Sequence, residues 1–156
     1  MYSWTKGYIM AIDSGDFIEF QWNPRKLIIH KDAKWNKLKV AGRDVPVQQF
    51  GCGQPRVVEF ELEFSRSDNG DYFVQSQFDA LLNLTYPIDT GGEGMKSPPK
   101  AILILGASLV MTGIVEDVKV EYESLSNKGK RDTYLADPAT LLPKEGKVKV
   151  KFTEYL

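Results

Sequence analysis

The sequence predicts a mainly β domain: an antiparallel β-sandwich or open barrel of about seven to eight strands with one packed α-helix. Three observations carry this. Apolar and polar residues alternate with a period of two through most of the chain. A single segment has a helical period. Clusters of Gly, Pro, Asn and Asp separate the runs.

A first strand is expected over about Gly7 to Ile12, closed by the turn signal "DSGD", Asp13 to Asp16. A second covers Phe17 to Trp22, with Ile18, Phe20 and Trp22 on one face and Glu19 and Gln21 on the other. Asn23-Pro24 ends it, because proline has no N–H for a ladder bond and holds its φ fixed. A third strand is expected over about Leu27 to Ala33, and the Gly- and Pro-rich stretch Lys39 to Pro55 reads as a long connection.

The fourth strand, Val57 to Ser65, is the clearest. Val58, Phe60, Leu62 and Phe64 share one face, and Glu59, Glu61 and Glu63 share the other, the pattern of a strand with one wet side. Near the end of the chain Lys147, Lys149 and Lys151 alternate with Val148, Val150 and Phe152. If the two strands share a sheet, these lysines can face the three glutamates in cross-strand charge pairs.

In "DYFVQSQFDALLNL", Val74, Phe78, Leu81 and Leu82 recur at i, i+4, i+7 and i+8, which predicts a helix. Asn69 to Asp71 supply its start and Tyr86-Pro87 its end. Ile88 to Pro99 reads as a loop. Lys100 to Gly106 reads as a buried strand, and Ser108 to Leu125 as one or two strands with Gly113 marking a bulge or bend. Ser126 to Gly146 reads as a second long connection, of a length that usually has a function.

At 156 residues the chain suits a single domain. Its 20 basic and 21 acidic residues leave a net charge of −1, without the basic excess of a nucleic-acid-binding protein. One cysteine, Cys52, permits no intrachain disulfide and suggests a reducing compartment. The N-terminus lacks the pattern of a signal peptide, and no run approaches the ~18 apolar residues of a membrane helix.

Motifs for chemistry are weak. "DTG", Asp89 to Gly91, matches the aspartic-protease triplet, which would require dimerisation to bring two carboxylates together; its setting reads instead as a Gly-rich loop. "GCGQP", Gly51 to Pro55, lacks the Lys and Ser/Thr of a phosphate loop. One His and one Cys give no metal-ligand spacing. Trp4, Trp22 and Trp35 could form a carbohydrate platform, although buried or interfacial tryptophans are commoner. No catalytic residue, cofactor or metal is expected.

The order of these segments resembles the contractile injection system tube proteins, the family that includes phage tail-tube initiators and baseplate hub-to-tube adaptors. "FQWNP", Phe20 to Pro24, is similar to the family's early "FNP" corner. Pro46 to Phe64 is similar to its Gly-rich turn leading into an alternating strand. Ser97 to Gly106 is similar to its Pro-Pro strand, Leu109 to Tyr122 to its strand pair with a central Gly, and Lys147 to Tyr155 to its closing strand. The resemblance covers about residues 15 to 156. It departs in the longer Ser126 to Gly146 connection and in the C-terminal LysM module that family members often carry; residues 1–156 read as a single tail-tube-like domain without one.

The resemblance implies a structural virion protein, a ring-forming tube initiator or adaptor, usually six-fold, around a lumen. Its partners would be its own copies and neighbouring hub and tube proteins, with DNA or a tape-measure protein passing through. It would lie in the tail or baseplate after assembly in the host cytoplasm, with no membrane partner. Val45, Val47 and Phe50 in one long connection, and Tyr134, Leu135, Leu141 and Leu142 in the other, are the expected subunit contacts. Glu59, Glu61 and Glu63 are the expected lumen-facing residues. The competing readings are a carbohydrate-binding β-sandwich and the dimeric protease.

Overall fold

The computed structural model describes residues 6–65, 73–89, 92, 94–123, 143 and 145–155. Eleven strands and one helix follow the order β1 (Tyr8–Ala11), β2 (Phe17–Glu19), β3 (Leu27–His30), β4 (Ala33–Leu38), β5 (Val47–Gly53), β6 (Val57–Ser65), α1 (Phe73–Asn83), β7 (Ile88–Asp89), β8 (Met95–Lys96), β9 (Lys100–Leu105), β10 (Leu109–Glu123) and β11 (Glu145–Glu154). Seven of them form one sheet in the order β2-β1-β9-β10-β11-β6-β3, and β4-β5 and β7-β8 are separate two-stranded ribbons. All pairings are antiparallel. The expected class is the one observed, a mainly β open barrel with a helix packed on it.

The sheet curls because of what joins its two edges. β2 and β3 lie at opposite edges, yet Glu19 and Leu27 are only eight residues apart. A flat sheet of seven strands would hold its edges about 29 Å apart, close to the full reach of such a link. The link also turns a corner, so the edges must approach. The Phe20 ring lies 5.8 Å from that of Phe60 on β6. The Ser65 amide at the far end of β6 donates to Gln21 Oε1 at 2.8 Å. At the corner Asn23 Oδ1 accepts from the Gly7 amide at 2.7 Å, tying the link to the start of β1. The Asn-Pro corner therefore spans the barrel's open side, where β2 and β3 remain unpaired edges; Pro24 cannot extend a ladder across it.

The core lies inside the curl. Alternate residues of β6 (Val58, Phe60, Leu62, Phe64) and of β11 (Val148, Val150, Phe152) are buried, as the alternation predicts. α1 covers one end of the barrel with Val74, Phe78 and Leu81 buried, while Leu82 remains half-buried. Phe78 sits edge-on to Phe64 at 5.4 Å and lies over Gly146, where an added Cβ would come within 2.3 Å of its ring.

Several boundaries differ from expectation. β2 stops at Glu19; Ile18 and Phe20 are buried, but Trp22 is half exposed, because the chain has left the sheet by then. The run expected from Leu27 to Ala33 divides at Lys31-Asp32 into β3 and β4. The stretch expected as a connection contains β5 and the turn of a β4–β5 hairpin, with Gly42 at φ +84°. Ile88 to Lys96 carries the short β7 and β8.

Ser108 to Leu125 holds one long strand. Its bulge is at Glu116, between Val115 and Asp117, rather than at Gly113. Gly113 answers a different need, since a Cβ there would stand 2.1 Å from the Thr153 carbonyl oxygen, where β10 crosses from β9 to β11. The bulge puts Glu116 and Asp117 both outside, so the inward phase passes from Leu109, Met111 and Val115 to Val118 and Val120.

Candidate assembly surfaces

The β4–β5 ribbon has no core of its own. Its strands touch no other element of the fold among the described residues, and every residue from Ile28 to Gly53 is exposed. Trp35 and Phe50 lie opposite one another on one face, rings 5.4 Å apart and edge-on, and are 55% and 54% exposed. Leu38 and Val47 lie on the other face. An isolated two-stranded hairpin is marginal in water, and this one also exposes aromatic and aliphatic side chains on both faces. Both facts point to a partner that buries it.

The ribbon's root is fastened to the barrel. The Gln54 amide donates to the Asp32 carbonyl at 2.9 Å across its base. Next to it Arg56 grips the Glu154 carboxylate with two side-chain bonds, Nη2 to Oε1 at 2.7 Å and Nε to Oε2 at 3.1 Å. These bonds hold the Glu154 carboxyl below the usual carboxylate range. The ribbon is thus held to the barrel at its root while its surface is left bare.

Of the expected contact residues, Val45 (73% exposed), Val47 and Phe50 all fall on this ribbon. Tyr134, Leu135, Leu141 and Leu142 lie outside the described residues. The expectation named these positions by connection length and apolar content. It missed Trp35 and Leu38, which stand on opposite faces of β4 and so leave no sustained alternation to read.

Glu59, Glu61 and Glu63 lie on the outer face of β6, opposite Lys151, Lys149 and Lys147 of β11. β10 extends each rung with Asp117, Lys119 and Glu121. The charged pairs close diagonally onto β10: Lys147 Nζ is 3.8 Å from Glu123 and Lys151 Nζ is 3.5 Å from Glu116. Glu116 also accepts from the Thr153 hydroxyl, and this bond, with Lys151 assisting, lowers its pKa against the cost of burial. Like charges stand opposite one another at Lys119 and Lys149, which costs stability unless solvent or an anion intervenes. The face is a shallow open trough bordered by Lys26 and Ile28. Its acidic row on β6 lies directly beside its basic row on β11, so the charges offset one another and do not converge on one ligand.

Other candidates do not assemble into a site. His30 on β3 pairs with Asp32 at 3.2 Å, while Cys52 on the ribbon accepts from Gln54 Nε2 at 3.4 Å. No group of three or more His, Cys, Asp or Glu that could hold a metal occurs among the described residues. Trp22 and Trp35 are both about half exposed; Trp22 lies beside Glu63 of β6 while Trp35 stands on the ribbon, so the two do not form one platform. Trp4 and the Thr90-Gly91 portion of "DTG" lie outside the described residues. No described helix is long and apolar enough to cross a membrane.

The family model described as contractile injection system tube protein matches residues 6–131, from the approach to β1 past the end of β10. No curated protein matches the chain.

Proposed function

Because the chain belongs to the contractile injection system tube protein family, we propose that it is a tube initiator or baseplate hub-to-tube adaptor that forms a ring, six-fold in the simplest case, around the lumen of a contractile phage tail or related injection device. The family match carries this reading. The bare β4–β5 ribbon supports it, since a subunit destined for an assembly can leave surface uncovered that a monomer cannot. The free edges β2 and β3 support it too, because neighbouring copies can cover edges that otherwise invite uncontrolled pairing.

In this reading the protein works in the tail or baseplate after assembly in the host cytoplasm. The ribbon, together with residues 126–146, contacts other copies or the rings above and below. Glu59, Glu61 and Glu63 line the lumen. A passing polyanion must not be held, and these carboxylates offset the lysines opposite them, so the face has no basic excess to grip phosphates.

Size-exclusion chromatography with mass measurement, followed by electron microscopy, tests the proposal. Concentration-dependent rings with a central channel are expected. A chain that stays monomeric at every concentration overturns the assembly reading. A particle map with the three glutamates on the exterior, or buried between subunits, overturns their lumen role and leaves the ring intact.

A further inference from the structure

The barrel's outer surface has two unlike halves. Across β6, β11 and the second half of β10 it is the charged ladder described above. Across β2, β1, β9 and the first half of β10 it is mostly apolar, broken at the edges by Glu19 and Thr112. Register joins Phe17, Met10 and Ile102 in one outward rung, and Tyr8, Ile104 and Val110 in the next. Phe17 and Val110 are 54% and 62% exposed, the other four are half-buried, and the Tyr8 and Phe17 rings touch at 4.8 Å. The inward residues of the same strands, Ile9, Leu103 and Met111, are already buried. β9 is therefore apolar on both faces, the composition of a strand covered on both sides, yet nothing in the described chain covers its outer side.

We propose that this apolar face receives the β4–β5 ribbon of a second copy, with Trp35 and Phe50 of the ribbon lying across the two rungs. Two unlike apolar surfaces stand bare on one chain, one reached from the β3 edge and the other bordered by the β2 edge. A head-to-tail contact covers both at once and repeats from copy to copy, the kind of contact that builds a ring when its rotation closes. Charge favours the same pairing. The ribbon carries Lys34, Lys37, Lys39 and Arg43 against Asp44 alone. The β2 side of the apolar face is rimmed by Asp13, Asp16 and Glu19, with Lys6 bridging to Glu19 at 3.5 Å. Face-to-face pairing of two apolar surfaces would instead set these acidic rims together and leave both ribbons bare. The inference rests on the assembly reading above and adds which surface accepts the ribbon.

The test uses the full chain with Cys52→Ser. Gln48→Cys is placed on the Trp35 face of the ribbon in one preparation, and Thr112→Cys beside the apolar rungs in another; a short bismaleimide is added under assembling conditions. Covalent dimers that form only when the two preparations are mixed are the expected result. Phe17→Lys with Val110→Lys should also raise the concentration needed for assembly by about tenfold or more, as one buried apolar side chain is worth at least that, with the melting temperature unchanged. Dimers within either preparation alone, no cross-link in the mixture while the assembly forms, or unimpaired assembly of the lysine variant each overturn the inference and leave the assembly reading standing. Failure of the unsubstituted chain to assemble overturns both.

Discussion

Arg56 and Glu154 sit where the ribbon meets the barrel, and their pairing has a pH signature. The Glu154 carboxyl is held below the usual carboxylate range by the Arg56 side chain, whose own pKa the same bond raises. A depressed carboxyl stabilises the fold above its unfolded pKa and ceases to do so as pH falls through the folded value. Arg56 stays charged throughout. The fold should therefore lose stability on acidification from the lower end of the ordinary carboxylate range downward. Glu154→Gln should flatten that part of the curve, and denaturant midpoints between neutral and acid pH, compared with the unsubstituted chain, check this. At Phe60, 4% exposed and against Phe20, truncation to Ala should cost ~3–5 kcal/mol. A loss below ~1 kcal/mol would mean that β6 does not present this face to the core. Gly113→Ala should cost ~1–3 kcal/mol by overpacking, because its Cβ would meet a backbone carbonyl that cannot swing aside; urea unfolding measures it.

At the scale of elements, β10 and the ribbon behave in opposite ways. β10 is one strand only because the bulge at Glu116 absorbs a change of phase. Deleting Glu116 removes the extra residue and makes the pairs Val115↔Phe152 and Asp117↔Lys151 consecutive, so Val118 and Val120 stay inward, whereas deleting Val118 would turn Val120 outward and Lys119 inward, which a core strand does not tolerate. Loss of the cooperative unfolding transition is expected for the Val118 deletion, while the Glu116 deletion and Glu116→Ala keep the register and should leave the transition in place. The ribbon adds nothing to the core. Replacing residues 33–53 with a short turn should leave the barrel's melting temperature nearly unchanged and abolish assembly. Hydrogen exchange should find the ribbon labile in the isolated chain and protected in the assembled particle; equal protection in both states would count against its role as a contact.

At the scale of the molecule, the division of the outer surface decides how subunits can meet. The charged ladder tolerates water and suits a lumen or an exterior. The apolar half and the ribbon do not. One structural device serves both ends of the fold: the bulge that keeps β10 in phase also marks the boundary between the two halves, since the outward residues change there from Ile114 to Glu116 and Asp117.

Alternation by itself determined the strands whose two faces differ. β6 and β11 could be read residue by residue, down to the opposition of Glu59, Glu61 and Glu63 with three lysines, because a half-wet strand writes its burial into its period. The helix was legible for the same reason, through Val74, Phe78 and Leu81. The ribbon was not, because neither of its faces is buried in the chain and apolar residues on both sides erase the period of two. The β9 run "AILIL" declared a strand buried on both faces, but only the folded chain showed that one face is left bare. The purpose of Asn23-Pro24 was equally hidden. Local sequence states that a strand stops there, whereas the curling of the sheet depends on which edges the topology brings within reach of the seven-residue link 20–26. Period and propensity are local properties of the chain; which faces remain uncovered, and which edges must be joined, are set by pairings between residues far apart in sequence.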